Sequence, residues 1–75
     1  MSLVVVERSF PEAVGAETLR GYEERGAPCL DVHGARFLYR YFSADRTRMT
    51  CLFEAPDAES VRLAQGAARI PYDRV

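Results

Sequence analysis

Cys29, Asp31 and His33 stand at alternate positions in the run Cys29-Leu-Asp-Val-His33. No other short stretch of this chain is so well suited to holding a metal. Thiolate and imidazole together favour zinc or nickel over magnesium or calcium. If the segment is helical, Cys29 and His33 are one turn apart and can share an ion. If it is extended after Pro28, all three side chains fall on one side. A closed structural site takes four ligands, and the only other thiol is Cys51. The donors to test are therefore His33, Cys29, Asp31 and Cys51. The plainer reading makes Cys29 a small buried hydrophobe. Asp31 and His33 are then solvated, with His33 suited to the negative end of a helix dipole.

Cys51 is also the candidate nucleophile. A catalytic cysteine needs a base, and His33 is the only imidazole in the chain. Their spacing does not demand a pair, and core packing accounts for Cys51 as well. Glu7 and Glu54 sit near strand ends, where ion pairs with Arg8, Arg36 or Arg48 explain them better than a carboxylate dyad. Phe37, Tyr39 and Tyr41 resemble a base-stacking platform. The valine-rich first strand offers no aromatic to complete one, and the net charge is −1. Nucleic acid is not an expected partner. No glycine-rich phosphate loop is present.

Those residues need elements to hold them. Leu3-Val-Val-Val6 is a β-branched run that reads as a central strand, broken by Pro11. From about Ala16, Leu19, Tyr22, Gly26, Cys29 or Leu30, and His33 recur at helical spacing. Gly21, Gly26 and Pro28 weaken that helix, and a kink or break is expected between Arg25 and Cys29. Gly34 is its stop signal. Arg36–Phe42 and Met49–Glu54 are aromatic-rich runs around a polar connection, a β-hairpin. By strict alternation Phe37, Tyr39 and Tyr41 share a face, as do Met49, Cys51 and Phe53. Asp57 is a natural N-cap for a second helix with Ala58, Val61, Ala64 or Gln65, and Ala68 as its buried stripe. Pro71 ends it, leaving Tyr72–Val75 as the stub of a last strand.

Seventy-five residues make a single domain, residues 1–75. A chain this short buries only about 60–65% of its unfolded surface, so a partner chain or metal would help it. All ten basic residues are arginine and are scattered, which argues for solvated faces rather than an anion-binding stripe. No apolar run approaches membrane-spanning length and no signal peptide is evident. The expected compartment is the cytoplasm, with both thiols reduced.

Strand, helix, strand, strand, helix and a strand stub is the split βαβ order of a ferredoxin-like α+β fold, with both helices on one face of an antiparallel sheet. The other face should then be polar. Instead an aromatic patch of Phe37, Tyr39, Tyr41, Met49, Cys51 and Phe53 is expected there. Such a patch implies a binding surface, most simply a second copy of the chain in a homodimer.

Several of these motifs together resemble a family of small bacterial proteins of unknown function that includes an actinomycete nickel-binding protein. They are Val5-Val-Glu-Arg8 with a proline soon after, Phe37-Leu38 to Tyr41, Cys51-Leu-Phe-Glu-Ala-Pro56 with the helix behind it, and Pro71-Tyr-Asp-Arg-Val75. The resemblance implies a ferredoxin-like dimer and makes nickel or another transition metal the cofactor to consider. Members usually continue into a full last strand, and their first helix is alanine-rich where this chain has Gly21, Gly26 and Pro28. The reading that follows is a cytoplasmic ligand- or metal-binding homodimer without catalytic residues. The alternatives are a small enzyme of the dimeric α+β barrel type, such as a monooxygenase or isomerase, and a purely structural interaction module. In the enzyme reading the pocket lies between helices and sheet, with Tyr39, Tyr41 and His33 as its polar groups.

Overall fold

A computed structural model describes residues 1–75. The elements are β1 (Ser2–Ser9), α1 (Ala16–Val32), β2 (Arg36–Phe42), β3 (Arg48–Ala55) and α2 (Ala58–Ala67). The sheet is antiparallel with order β1-β3-β2. The C-terminal stub pairs with the free edge of β1 in its own sheet. There the Glu7 amide donates to the Arg74 carbonyl at 2.8 Å, and the Asp73 amide donates to the Glu7 carbonyl at 2.7 Å. The protein is thus a ferredoxin-like α+β fold with an abbreviated fourth strand.

Both helices cover one face of the sheet. The core between them and the sheet takes Val4 and Val6 from β1, and Met49, Cys51, Phe53 and Ala55 from β3. Leu19 and Leu30 come from α1, and Val61 and Ala64 from α2. The alternation of β1 and β3 is regular, so each contributes every second residue. Met49, Cys51 and Phe53 therefore lie under the helices and form no part of the bare face.

β2 departs from strict alternation. Phe37 pairs with Phe53, but Tyr39 pairs with Leu52, so Leu38 is the extra residue of a β-bulge. One inserted residue reverses the inward–outward order beyond it. Phe37 stays on the helix face, where its ring meets Phe53 edge to face at 5.7 Å. Tyr39 and Tyr41 turn to the open face, opposite Leu52 and Thr50. Arg40 and Phe42 turn inward, opposite Cys51 and Met49. The expected single patch of Phe37, Tyr39, Tyr41, Met49, Cys51 and Phe53 is thereby split across the two sides of the sheet.

α1 runs unbroken through Pro28. Proline removes its own N–H, but Pro28 and Glu24 are exposed, so water can satisfy the freed carbonyl. Buried Leu19, Gly26 and Leu30 hold both sides of the suspect region to the core, which outweighs the local penalty. Gly34, at φ 69°, ends the helix as expected. The Ala35 amide donates to the Leu30 carbonyl at 2.8 Å, and the Gly34 amide to Asp31 at 3.1 Å. α2 closes with the same pair of bonds, from Ile70 to Gln65 and from Arg69 to Gly66, although Arg69 occupies the left-handed position at φ 57°. Its N-cap is Asp57, whose carboxylate accepts from the Ser60 amide at 2.8 Å. No helix is long and apolar enough to cross a membrane.

Candidate functional site

Val4, Val6 and Arg8 occupy successive inward positions of β1. The third of these carries a guanidinium into the core, where Arg8 is only 5% exposed. Its Nη2 donates to Gln65 Oε1 at 2.6 Å, and its Nη1 donates to the Pro71 carbonyl at 3.1 Å. Gln65 is itself 1% exposed and sits on the buried stripe of α2. Both partners are neutral, and Arg8 forms no salt bridge. Its buried Nε has no hydrogen-bond partner in the protein.

A cavity of about 190 Å³ opens beside this group, between α1 and the β2 side of the sheet. Leu19, Leu30, Phe37, Met49, Phe53 and Ile70 supply most of its apolar wall. Its polar groups are Arg8, Arg40, Cys51, Gln65, Tyr22 and Glu23. Gly26 matters to its shape. A Cβ at that position would stand 3.2 Å from the Ile70 side chain, so glycine lets α1 sit close at this end. The bulge at Leu38 turns Arg40 into this space. The guanidinium lies 4.9 Å over the Phe37 ring and is ion-paired with Glu23 at the mouth. The Arg40 Nε, like that of Arg8, is buried and unpartnered.

The electrostatics follow from burial. Desolvation pulls the Arg8 guanidinium below its ordinary value, and the neighbouring Cys51 partly offsets this. Burial pushes the Cys51 thiol up, with Arg8 and Arg40 pulling in the opposite direction. Cys51 is thus held as a thiol in a site that carries an arginine with no anionic partner.

The four proposed metal donors do not share one place. Cys51 lies mid-strand between Val6 of β1 and Arg40 of β2, facing the cavity. Cys29 is half-buried in α1 against the edge of the core. His33 caps that helix, its amide donating to the Cys29 and Leu30 carbonyls at 3.2 and 3.1 Å. Cys29 and His33 remain one turn apart, whereas Asp31 is exposed and, two residues on, points away from both. No three histidine, cysteine, aspartate or glutamate side chains come together as a metal-holding group. A cation beside Cys51 would also face Arg8. Within one chain, these residues do not fit a closed nickel site.

The polar groups assigned to an enzyme pocket are placed differently as well. Tyr39 and Tyr41 lie on the opposite face of the sheet, and His33 does not line the cavity. Of the polar groups that do line it, Cys51 is a candidate from the sequence, whereas Arg8, Arg40, Gln65, Tyr22 and Glu23 are not. Arg8 had a legible signal, because it continues the alternation of Val4 and Val6. Gln65 also had one, as a polar residue on an apolar stripe. Arg40 had none, since only the bulge turns it inward. Glu7 pairs with Arg74 at 2.8 Å rather than with Arg8, while Glu54 pairs with Arg36 at 3.0 Å.

The fold is similar to that in the crystal structure of SCO4226 from Streptomyces coelicolor A3(2), with a TM-score of 0.84 at 15% identity. That likeness covers 97% of this chain and 90% of the other. No curated protein matches the chain. The description "nickel responsive protein SCO4226-like" belongs to a family whose model matches residues 5–75, and the chain is a member of that family.

Proposed function

We propose that this protein is a non-catalytic binding protein that admits a small molecule between α1 and the sheet and acts as a homodimer joined through its open sheet face. The cavity carries this reading. It has a mostly apolar wall with a few polar groups converging in it, which is the usual make-up of a small-molecule site. Its volume suits a small ligand, since a cavity of about 150 Å³ admits benzene. Amide chemical-shift mapping with small aromatic and aliphatic compounds tests it. Shifts clustered at Leu19, Met49 and Phe53 are expected. Compounds that perturb only the outer surface would overturn the reading.

The homodimer draws support from the open face. Leu3, Val5, Tyr39 and Tyr41 are exposed there around Leu52, at 69%, 43%, 64% and 60% for the first four. A bare sheet face in a soluble monomer is normally polar. Sedimentation should show association that depends on concentration, and a monomer throughout would refute it.

A second reading takes up the nickel response in the family's description. Cys29 in the last turn of α1 and His33 at its C-cap supply two donors of the right chemistry for an open nickel site. Asp31 and Cys51 stand apart from that pair. Titration of chelator-treated protein with Ni²⁺ should show binding that His33→Ala abolishes, whereas binding indifferent to this substitution would rule the pair out.

A further inference from the structure

Arg8 and Arg40 bring two guanidinium groups to one largely apolar cavity, and only one of them has a carboxylate partner. Glu23 pairs with Arg40. Around Arg8 stand Gln65, the Pro71 carbonyl and the Cys51 thiol, all neutral. An unpaired buried charge is costly, and the usual remedy is a counter-ion. Glu7, the acidic residue adjacent in sequence, faces the other side of the sheet and is engaged by Arg74. The one carboxylate that lines the cavity, that of Glu23, is already committed to Arg40. Both arginines also leave a buried Nε–H without an acceptor. The site therefore combines one uncompensated positive charge, two free donors and an apolar wall sized for a benzene-like body.

We propose that the cavity binds a small organic carboxylate, its anionic group held by Arg8 and Arg40 and its apolar body lying against Leu19, Leu30, Phe37 and Phe53. This rests on the reading of the cavity as a ligand site and adds the chemical class of the ligand. A carboxylate matches because it accepts from guanidinium N–H groups through two oxygens and compensates one charge. Inorganic anions fit less well, since they leave the apolar wall uncovered. The bulge at Leu38 acquires a role here, because it places the second arginine in the site. Bulges recur beside functional sites for this reason.

The test compares benzoate with benzyl alcohol, a neutral molecule of similar shape, by calorimetry and amide shift mapping at pH 7. It uses the wild-type protein, Arg8→Met and Arg40→Met. Expected are cavity shifts with benzoate, at least tenfold weaker binding of benzyl alcohol, and at least tenfold loss of benzoate affinity in Arg40→Met. Arg8→Met should lose at least as much. If its altered core prevents folding, the variant at the more exposed Arg40 still decides the matter. Equal binding of both compounds, insensitive to either arginine, would overturn the carboxylate assignment and leave the cavity reading standing. Binding of neither compound in the cavity would overturn both.

Discussion

Leu52 and Phe53 are neighbours on β3, yet they belong to two different surfaces. Phe53 is 3% exposed beneath α1, and it contributes to both the core and the cavity wall. Leu52 faces outward among Val5 and Tyr39, with no element of this chain above it. The two faces of one small sheet thus divide the work. The inner face supplies stability and encloses charged groups at its margin. The outer face adds little to the monomer and is available to a partner. In this 75-residue chain the buried Arg8 and the partly buried Arg40 both lie at the edge of the core. There Gln65, the Pro71 carbonyl and Glu23 at the cavity mouth supply polar partners.

Truncation of the neighbours should separate the two faces most sharply. Phe53→Ala is expected to destabilise the protein by about 3–5 kcal/mol, enough to unfold much of it. Leu52→Ala should cost roughly 0.5–1 kcal/mol in dilute solution. Urea denaturation of both variants checks the contrast. Equal losses at low concentration would mean that the outer face is already covered.

A smaller effect is expected within the inner face. Gln65→Leu keeps the apolar stripe of α2 but removes the acceptor for Arg8 Nη2. The charge-assisted bond and the stranded donor together predict a loss of about 1.5–3 kcal/mol. Pairing that change with Arg8→Met should recover much of the loss, because two apolar groups no longer bury an unpaired charge. A double-mutant cycle by denaturant unfolding measures this coupling.

On the outer face, Tyr39→Glu should leave monomer stability within about 0.5 kcal/mol. It should also shift the proposed dimer toward monomer, by placing like charges across the sheet-to-sheet contact. Sedimentation and thermal melting separate these outcomes. A variant that loses stability but stays associated would contradict the division between faces.

The smallest effect concerns the β2–β3 turn, on which strand register depends. Asp45 accepts from the Thr47 hydroxyl and amide and the Ser43 hydroxyl, and these bonds hold its carboxyl down to about 2. Since the folded value lies below the ordinary one of 3.8, its contribution is present above that value. It fades as pH falls toward 2. Wild-type melting temperature should drop over that interval more than that of Asp45→Asn, which lacks the titrating group.

Much of the architecture was legible because local patterns and tertiary demands agree. The valines of β1, the stripe of α2, Asp57 and Gly34 all perform the roles that their types suggest. The continuity of α1 through Pro28 was not, because the penalty is local while the anchorage at Gly26 and Leu30 is tertiary. The candidate site was legible only in part. Arg8 stands in the inward register of β1, but its significance depends on groups 57 and 63 residues further along the chain.

By itself, the sequence determined the order of elements, the helix ends and the ferredoxin-like class, because these follow from periodicity and backbone preference along a few residues. Tertiary structure decided which aromatics are buried, where Arg40 points and what surrounds Arg8. Side-chain parity in a strand has a period of two, so the single extra residue at Leu38 reverses it. Only pairing with β3 shows that the extra residue is there.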